Sequence, residues 1–438
     1  MRNARRIFFI ALCCSLCACG GPSLQYKKDV SSMMAKGNFE GAQAKIEKNK
    51  NKVYGEHNKL LYYLDLSIPQ TAQDKHEDAN KTLEAAQNAQ EDLQVQSVSQ
   101  NLGTLVINDN TQPYRAPVYE QALTYFYRSL NYLTMQDLQD AAVEARKAAF
   151  FLDYTRSHET KTYNDDPFVQ YFTSMIFEDT GSISDARISR DNANNAYKKY
   201  LSWYEGKAPA FNLPKDYKDM GEVVIFHLNG KVPYKISNEI SLAWDNIWFA
   251  VNANNDLKGV SGDVIDAVYA GAFGRSVTIS FPELKDNPYI ITGSAVEVDG
   301  GQPVKTQLVA DIAATAKETL KEQNAAIYAR TVTRAVTKFI LRVQAQNSAT
   351  KLTKDKNVGA LVGALVSAAS NITEKADTRS WFTLPAEIRM ADLFLPQGTY
   401  NIKMLFYDDR GNAIDEYVFE KVQINKGKRT YLYRTTAK

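Results

Sequence analysis

Past residue 19 the chain has no cysteine: all four, Cys13, Cys14, Cys17 and Cys19, lie in the first 19 positions. That excludes a disulfide framework, a thiolate metal site and a cysteine nucleophile from the rest of the protein. Histidine is equally scarce, and His57, His76, His158 and His227 share no metal-ligand spacing. The glycine-rich phosphate loops, the GxSxG elbow and the HExxH helix are missing. An excess of charge is missing too. The net charge is +2, and without Arg2, Arg5 and Arg6 the chain has 49 basic against 50 acidic residues. A balance so close to neutral gives no footprint for nucleic acid. No cofactor is expected. Paired acids such as Asp165-Asp166 and Asp408-Asp409 sit in polar turn-like stretches, where Asp mostly bonds backbone.

What is present begins at the N-terminus. Arg2, Arg5 and Arg6 precede an apolar stretch, Ile7 to Leu16, that is too short to span a bilayer. Leu16-Cys17-Ala18-Cys19 follows, and it resembles the bacterial lipobox, with Leu at −3, a small residue at −1 and the cysteine at +1. The resemblance implies a signal peptide over 1–18, cleavage before Cys19 and lipid on Cys19, which would hold the chain to a bilayer through several acyl chains. Gly20 at +2 is similar to the outer-membrane sorting signal of enteric bacteria, which implies the periplasmic face of the outer membrane. Residues 19–25 are expected to be a short lipidated tether.

From Tyr26 to about residue 205 the apolar spacing is helical. A hydrophobic or aromatic residue, two residues and an Ala recur at Phe39–Ala42, His76–Ala79, Leu138–Ala141 and Ile183–Ala186, each after a break such as Gly37-Asn38 or Gly181-Ser182. The pattern resembles the tetratricopeptide repeat. Its spacings of 37, 62 and 45 residues depart from that family's period of about 34. The expectation for 26–205 is therefore a TPR-like helical domain, with an irregular helical bundle as the plainer alternative. Within it, Asn108 to Arg115 is turn-forming. Asp109, Tyr114 and Arg115 are candidates for partner contact. The simpler expectation is an ordered connection in which Asp109 caps an amide and Arg115 pairs with Glu120.

Residues 206–438 change period. Glu222–Leu228 reads as a buried strand ending at Asn229-Gly230, and further strands are expected at 276–281, 289–298, 388–395, 401–407, 417–424 and 430–434. Short alternating strands with glycine turns point to an antiparallel β-sandwich-like domain, making the whole chain α+β. A helical insertion is expected at about 304–375. Its first part, Leu308 to Ala345, carries Arg330, Arg334, Lys338 and Arg342 close to one face, expected to be solvated. Its second, Val358 to Ile372, has Gly359 and Gly363 four apart, the spacing of close helix packing. The segment Asp377 to Ile388 follows. Arg379 and Trp381 in it are candidates for partner contact, although a structural hinge with a buried ion pair is the preferred reading.

Three stretches, 107–133, 137–148 and 376–400, together resemble a family of uncharacterised bacterial lipoproteins with a TPR-like N-terminal half and a β-rich C-terminal half. The similarity runs over nearly the whole chain after Cys19, in the same order. It implies a cell-envelope location and carries no catalytic residue. The expected function is that of a membrane-anchored, non-enzymatic interaction or scaffolding module with an envelope protein partner. The alternatives are a β-sandwich module that binds polysaccharide or peptidoglycan and a hydrolase of that material.

Overall fold

The computed structural model describes residues 21–97, 110, 112–158, 163–204, 219–243, 276–353 and 376–438. Cys19, Asp109 and Val358 to Ile372 lie outside them. The chain is α+β, with helices in its N-terminal half and mixed sheets in its C-terminal half.

Among the described residues, eight α-helices in the first half pair into four hairpins: α1 (Leu24–Ala35) with α2 (Phe39–Lys48), α3 (Lys59–Thr71) with α4 (His76–Ser97), α5 (Val118–Thr134) with α6 (Leu138–His158), and α7 (Pro167–Asp179) with α8 (Ile183–Lys199). One turn is used four times. Gly37, Asp74, Gln136 and Gly181 adopt positive φ of 72°, 59°, 61° and 76°. At each turn the next residue's N–H reaches back to a carbonyl five residues earlier, as from Asn38 to Met33 (2.9 Å) and Asp137 to Tyr132 (2.8 Å). These bonds close the C-terminus of the first helix in a Schellman arrangement. The recurring alanines Ala42, Ala79, Ala141 and Ala186 then fall one turn into the second helix, all buried. Having no side chain beyond Cβ, they let the two helix backbones approach closely.

The first helix of a hairpin is the inner one. Eleven of thirteen residues are buried in α3 and again in α7, whereas α6 and α8 keep one solvent face. The inner helices rest on strands. The first sheet has the order β10 (Arg429–Thr436), β1 (Gly221–Asn229), β7 (Glu387–Leu395), β6 (Gln307–Asp311). The second, antiparallel throughout, runs β5 (Val304–Lys305), β4 (Gly293–Val298), β8 (Gly398–Tyr407), β9 (Ala413–Ile424). A separate ribbon pairs β2 (Tyr234–Ala243) with β3 (Ser276–Lys285).

Strand β1 is buried on both faces, which is why it reads as an unbroken apolar run rather than an alternation. Val224, Phe226 and Leu228 join the core built on the helices. Val223 and Ile225 join a second core with Ile402, Met404 and Phe406 of β8. The helices, the first sheet and the second sheet thus succeed one another. Phe226 illustrates the junction: its ring meets Phe126 of α5 and Phe168 and Phe172 of α7 at 5.5–5.9 Å.

Four expectations need correction. The β-rich half is not antiparallel throughout, because β10 lies parallel to β1, Glu222 opposite Arg429 through Asn229 opposite Thr436. The long helix, α9 (Ile312–Thr353), starts later than Leu308, since Gln307–Asp311 pairs with β7 and Asp311 caps the helix by accepting from Ala314 N at 2.8 Å. Arg334 on that helix is buried rather than solvated, while Arg330 is exposed. Residues 21–25 are part of the body, not of a tether. Pro22 is buried, Ser23 Oγ accepts from Tyr26 N (3.2 Å), and a Cβ on Gly21 would lie 2.9 Å from Arg379 Cγ.

Candidate functional site

The most elaborate polar arrangement lies where residues 377–384 thread between the inner helices. Three consecutive inner helices each supply one buried charge to this segment's backbone. Lys27 of α1 donates to Thr378 O. Glu120 of α5 accepts from Trp381 N at 3.2 Å, and Asp65 of α3 accepts from Phe382 N at 3.2 Å. All three side chains are fully buried. Burial raises the pKa of Asp65 and of Glu120 and lowers that of Lys27 to about 8. Tyrosines complete the carboxylates: Tyr54 OH donates to Asp65 (3.1 Å), and Tyr114 OH (2.6 Å) and Tyr119 OH (3.1 Å) donate to Glu120.

Arg379 closes the outer end. Its fork holds Asp377 through Nε and Nη2, both at 2.8 Å, and Nη1 reaches Asn58 Oδ1 (3.0 Å) and Gln112 O (2.7 Å). Burial raises the Asp377 pKa, but the hydrogen bonds and charge of Arg379 outweigh it and hold the carboxyl below its usual value. Trp381 donates Nε1–H to Thr383 Oγ1 at 3.1 Å, and its ring packs on Tyr127.

Tyr114, Arg379 and Trp381 therefore come together, and each is buried with its polar atoms taken up by the chain itself. The ion pair expected at Asp377 and Arg379 is present. Arg115 is exposed, and it does not pair with Glu120, whose oxygens are occupied by Tyr114, Tyr119 and the Trp381 amide. Lys27 and Asp65 escaped the sequence reading, and Glu120 entered it only as a partner for Arg115. Their signal was a single charge on an otherwise apolar helical face, as for Asp65 within Leu60–Ile68. A buried set of bonds of this kind fixes the backbone of residues 377–384.

Two features face solvent. A half-open cleft of about 400 Å³ is lined by Lys231, Pro233, Asp286, Tyr289, Asp311 and Lys317 among others, with Lys317 bridged to Asp286 at 2.6 Å. On α6, Val143, Phe150 and Tyr154 are spaced seven and four apart, which puts them on one helical stripe. They are 42%, 78% and 53% exposed. Among the described residues, no three His, Cys, Asp or Glu side chains converge as metal ligands. No described helix is long and apolar enough to cross a membrane.

Comparison of the chain with protein-family models, curated proteins and solved structures returns no match.

Proposed function

We propose that this chain is a lipoprotein of the bacterial cell envelope, anchored at Cys19 on the periplasmic face of the outer membrane, that acts as a rigid protein-interaction module. The four hairpins are read as TPR-like units and the two facing sheets as a sandwich-like support. One observation carries the interaction reading: the apolar stripe of α6 is left uncovered while the inner helix faces are filled. A stack of helix pairs ordinarily offers its inner, concave face to a peptide. Here residues 377–384 and the first sheet occupy that face, so a partner is received on the outer helices instead. Phe150, more than three-quarters exposed, is the natural centre of such a contact.

Crosslinking of intact envelopes followed by affinity capture tests this. The wild-type chain should recover one stoichiometric envelope protein, and Phe150→Glu with Tyr154→Glu should lose it while leaving thermal stability unchanged. A partner retained by the double variant, or no partner for the wild type, would sink the proposal.

The glycan-binding alternative draws support from the cleft beside Tyr289, where an aromatic ring, two lysines and two aspartates line a pocket of sugar-binding size. It predicts co-sedimentation with purified peptidoglycan that Tyr289→Ala weakens and Phe150→Glu does not.

A further inference from the structure

We infer that one edge of the helix stack, the edge bearing Lys48, Lys52, Lys59 and Arg115, lies flat against an anionic bilayer surface. The inference rests on the proposed lipidation of Cys19, and three observations converge on it.

The first is reach. Cys19 precedes Gly21 by two residues, so its Cα lies at most roughly 7 Å from that of Gly21 and an acylated sulfur within about 10 Å. Gly21 has no slack, being closed on the Arg379 side chain, with Asn58 beside it. Whatever surface surrounds Gly21 must therefore meet the headgroups.

The second is which surface that is. The hairpins run up and down in turn, so the starts of the inner helices and the ends of the outer helices share one edge. Tyr26 OH near the start of α1 donates to Lys45 O near the end of α2 (3.4 Å), and Tyr114 N before α5 donates to His57 O before α3 (2.9 Å). Gly21, residues 45–59 and residues 112–117 are neighbours on this edge. The four positive-φ turns lie on the opposite edge.

The third is charge. Residues 45–59 carry five lysines against two glutamates. Lys45 is engaged by Asp29 at 2.6 Å, while Lys48, Lys52 and Lys59 are exposed, as is Arg115. On the far edge, Glu40, Glu77, Asp78, Asp140 and Asp185 occupy the first turns of the outer helices. Helix dipoles alone favour acids at helix starts and bases at helix ends. They do not account for Lys59, the first residue of α3, or for Arg115, three residues before α5, where a cation opposes the dipole. A negatively charged surface outside the protein does account for them. It adds roughly fivefold in binding for each cation held close to it, within a screening distance of about 10 Å.

Two experiments on the full chain test this. The lipid-modified protein is placed in vesicles of phosphatidylcholine with phosphatidylglycerol, and its lysines are acylated and read by mass spectrometry. Lys48, Lys52 and Lys59 should be protected relative to detergent micelles, and Lys36 and Lys75 on the far edge should not. Separately, the Cys19→Ser chain should sediment with phosphatidylglycerol-containing vesicles and detach as salt rises. Reversal of Lys48, Lys52, Lys59 and Arg115 to Glu should weaken that binding roughly 100-fold or more, with thermal unfolding unchanged, and reversal of Lys36 and Lys75 should have no effect. Equal protection of both edges, or sedimentation indifferent to the four reversals, would overturn the inference. If the N-terminal peptide carries no acyl mass, the lipidation reading fails on its own. The Cys19→Ser sedimentation still decides the edge.

Discussion

Arg379 shows at the scale of one residue how a local pair serves a distant assembly. Its carboxylate partner is two positions away, which made the ion pair legible in the sequence. Its other acceptors, Asn58 and Gln112 O, come from segments more than 260 positions earlier and left no local trace. Arg379→Ala strands both acceptors, and it should cost about 3 kcal/mol, toward the low end for breaking a buried pair because Asp377 keeps some solvent. Arg379→Lys should recover less than half, since an ammonium cannot reproduce the fork. Urea unfolding midpoints measure both.

His227 sets a pH limit. It is fully buried between Ser294 Oγ (2.9 Å) and Thr436 Oγ1 (2.7 Å), and burial, aided by Arg389, lowers its pKa to about 3. Below about pH 6.5 the unfolded chain gains a proton that the folded chain refuses, so stability falls as pH drops toward 3. The slope from this group approaches about 1.4 kcal/mol per pH unit. His227→Gln should lack that component, and the stability difference between wild type and variant should shrink steadily from pH 7 to pH 4.

Among the elements, the hairpin turns were the most legible part of the fold. Each needs a left-handed residue, an extended or capping residue and a small residue one turn later, and all of that is written within seven positions. Gly37 and Gly181 have open space where a Cβ would go, so changing either to Ala tests backbone conformation alone. Each should cost about 1 kcal/mol. Gln136 adopts the same conformation with a side chain, and Gln136→Gly should stabilise by about 0.5–1 kcal/mol. Thermal melts of the three variants should order Gln136→Gly above wild type above the two alanine variants. Strand direction was not legible. Alternation marks a strand and its faces, but the choice between parallel and antiparallel neighbours for β1 depends on where β10 arrives from, over two hundred positions away. The partners of the charges on α1, α3 and α5 were unreadable for a related reason: a lone buried charge declares that a partner exists without naming it.

For the molecule as a whole, the helical and β-rich halves that differ in sequence pattern share one hydrophobic core, running from Val30 on α1 to Tyr433 on β10. Tyr433 OH donates to Thr71 O at 2.6 Å, and Arg429 bonds Met175 O and Asp179 of α7 at 2.9 and 2.7 Å. Deleting 429–438 should therefore loosen the helices as well as the sheet. Hydrogen exchange should show lost protection in α3 and α7, and unchanged protection there would mean that the helices stand alone.

The parallel partnership of β1 and β10 also dictates an order of events during biogenesis. A ribosome delivers the hairpins well before Arg429–Thr436. Until those final residues emerge, β1 lacks its outer neighbour, and the rings of Phe172 and Phe226 lack the Tyr431 strand that completes their enclosure. A chain that stops short of β10 leaves those apolar faces uncovered, and it should be cleaved by protease faster than the full chain.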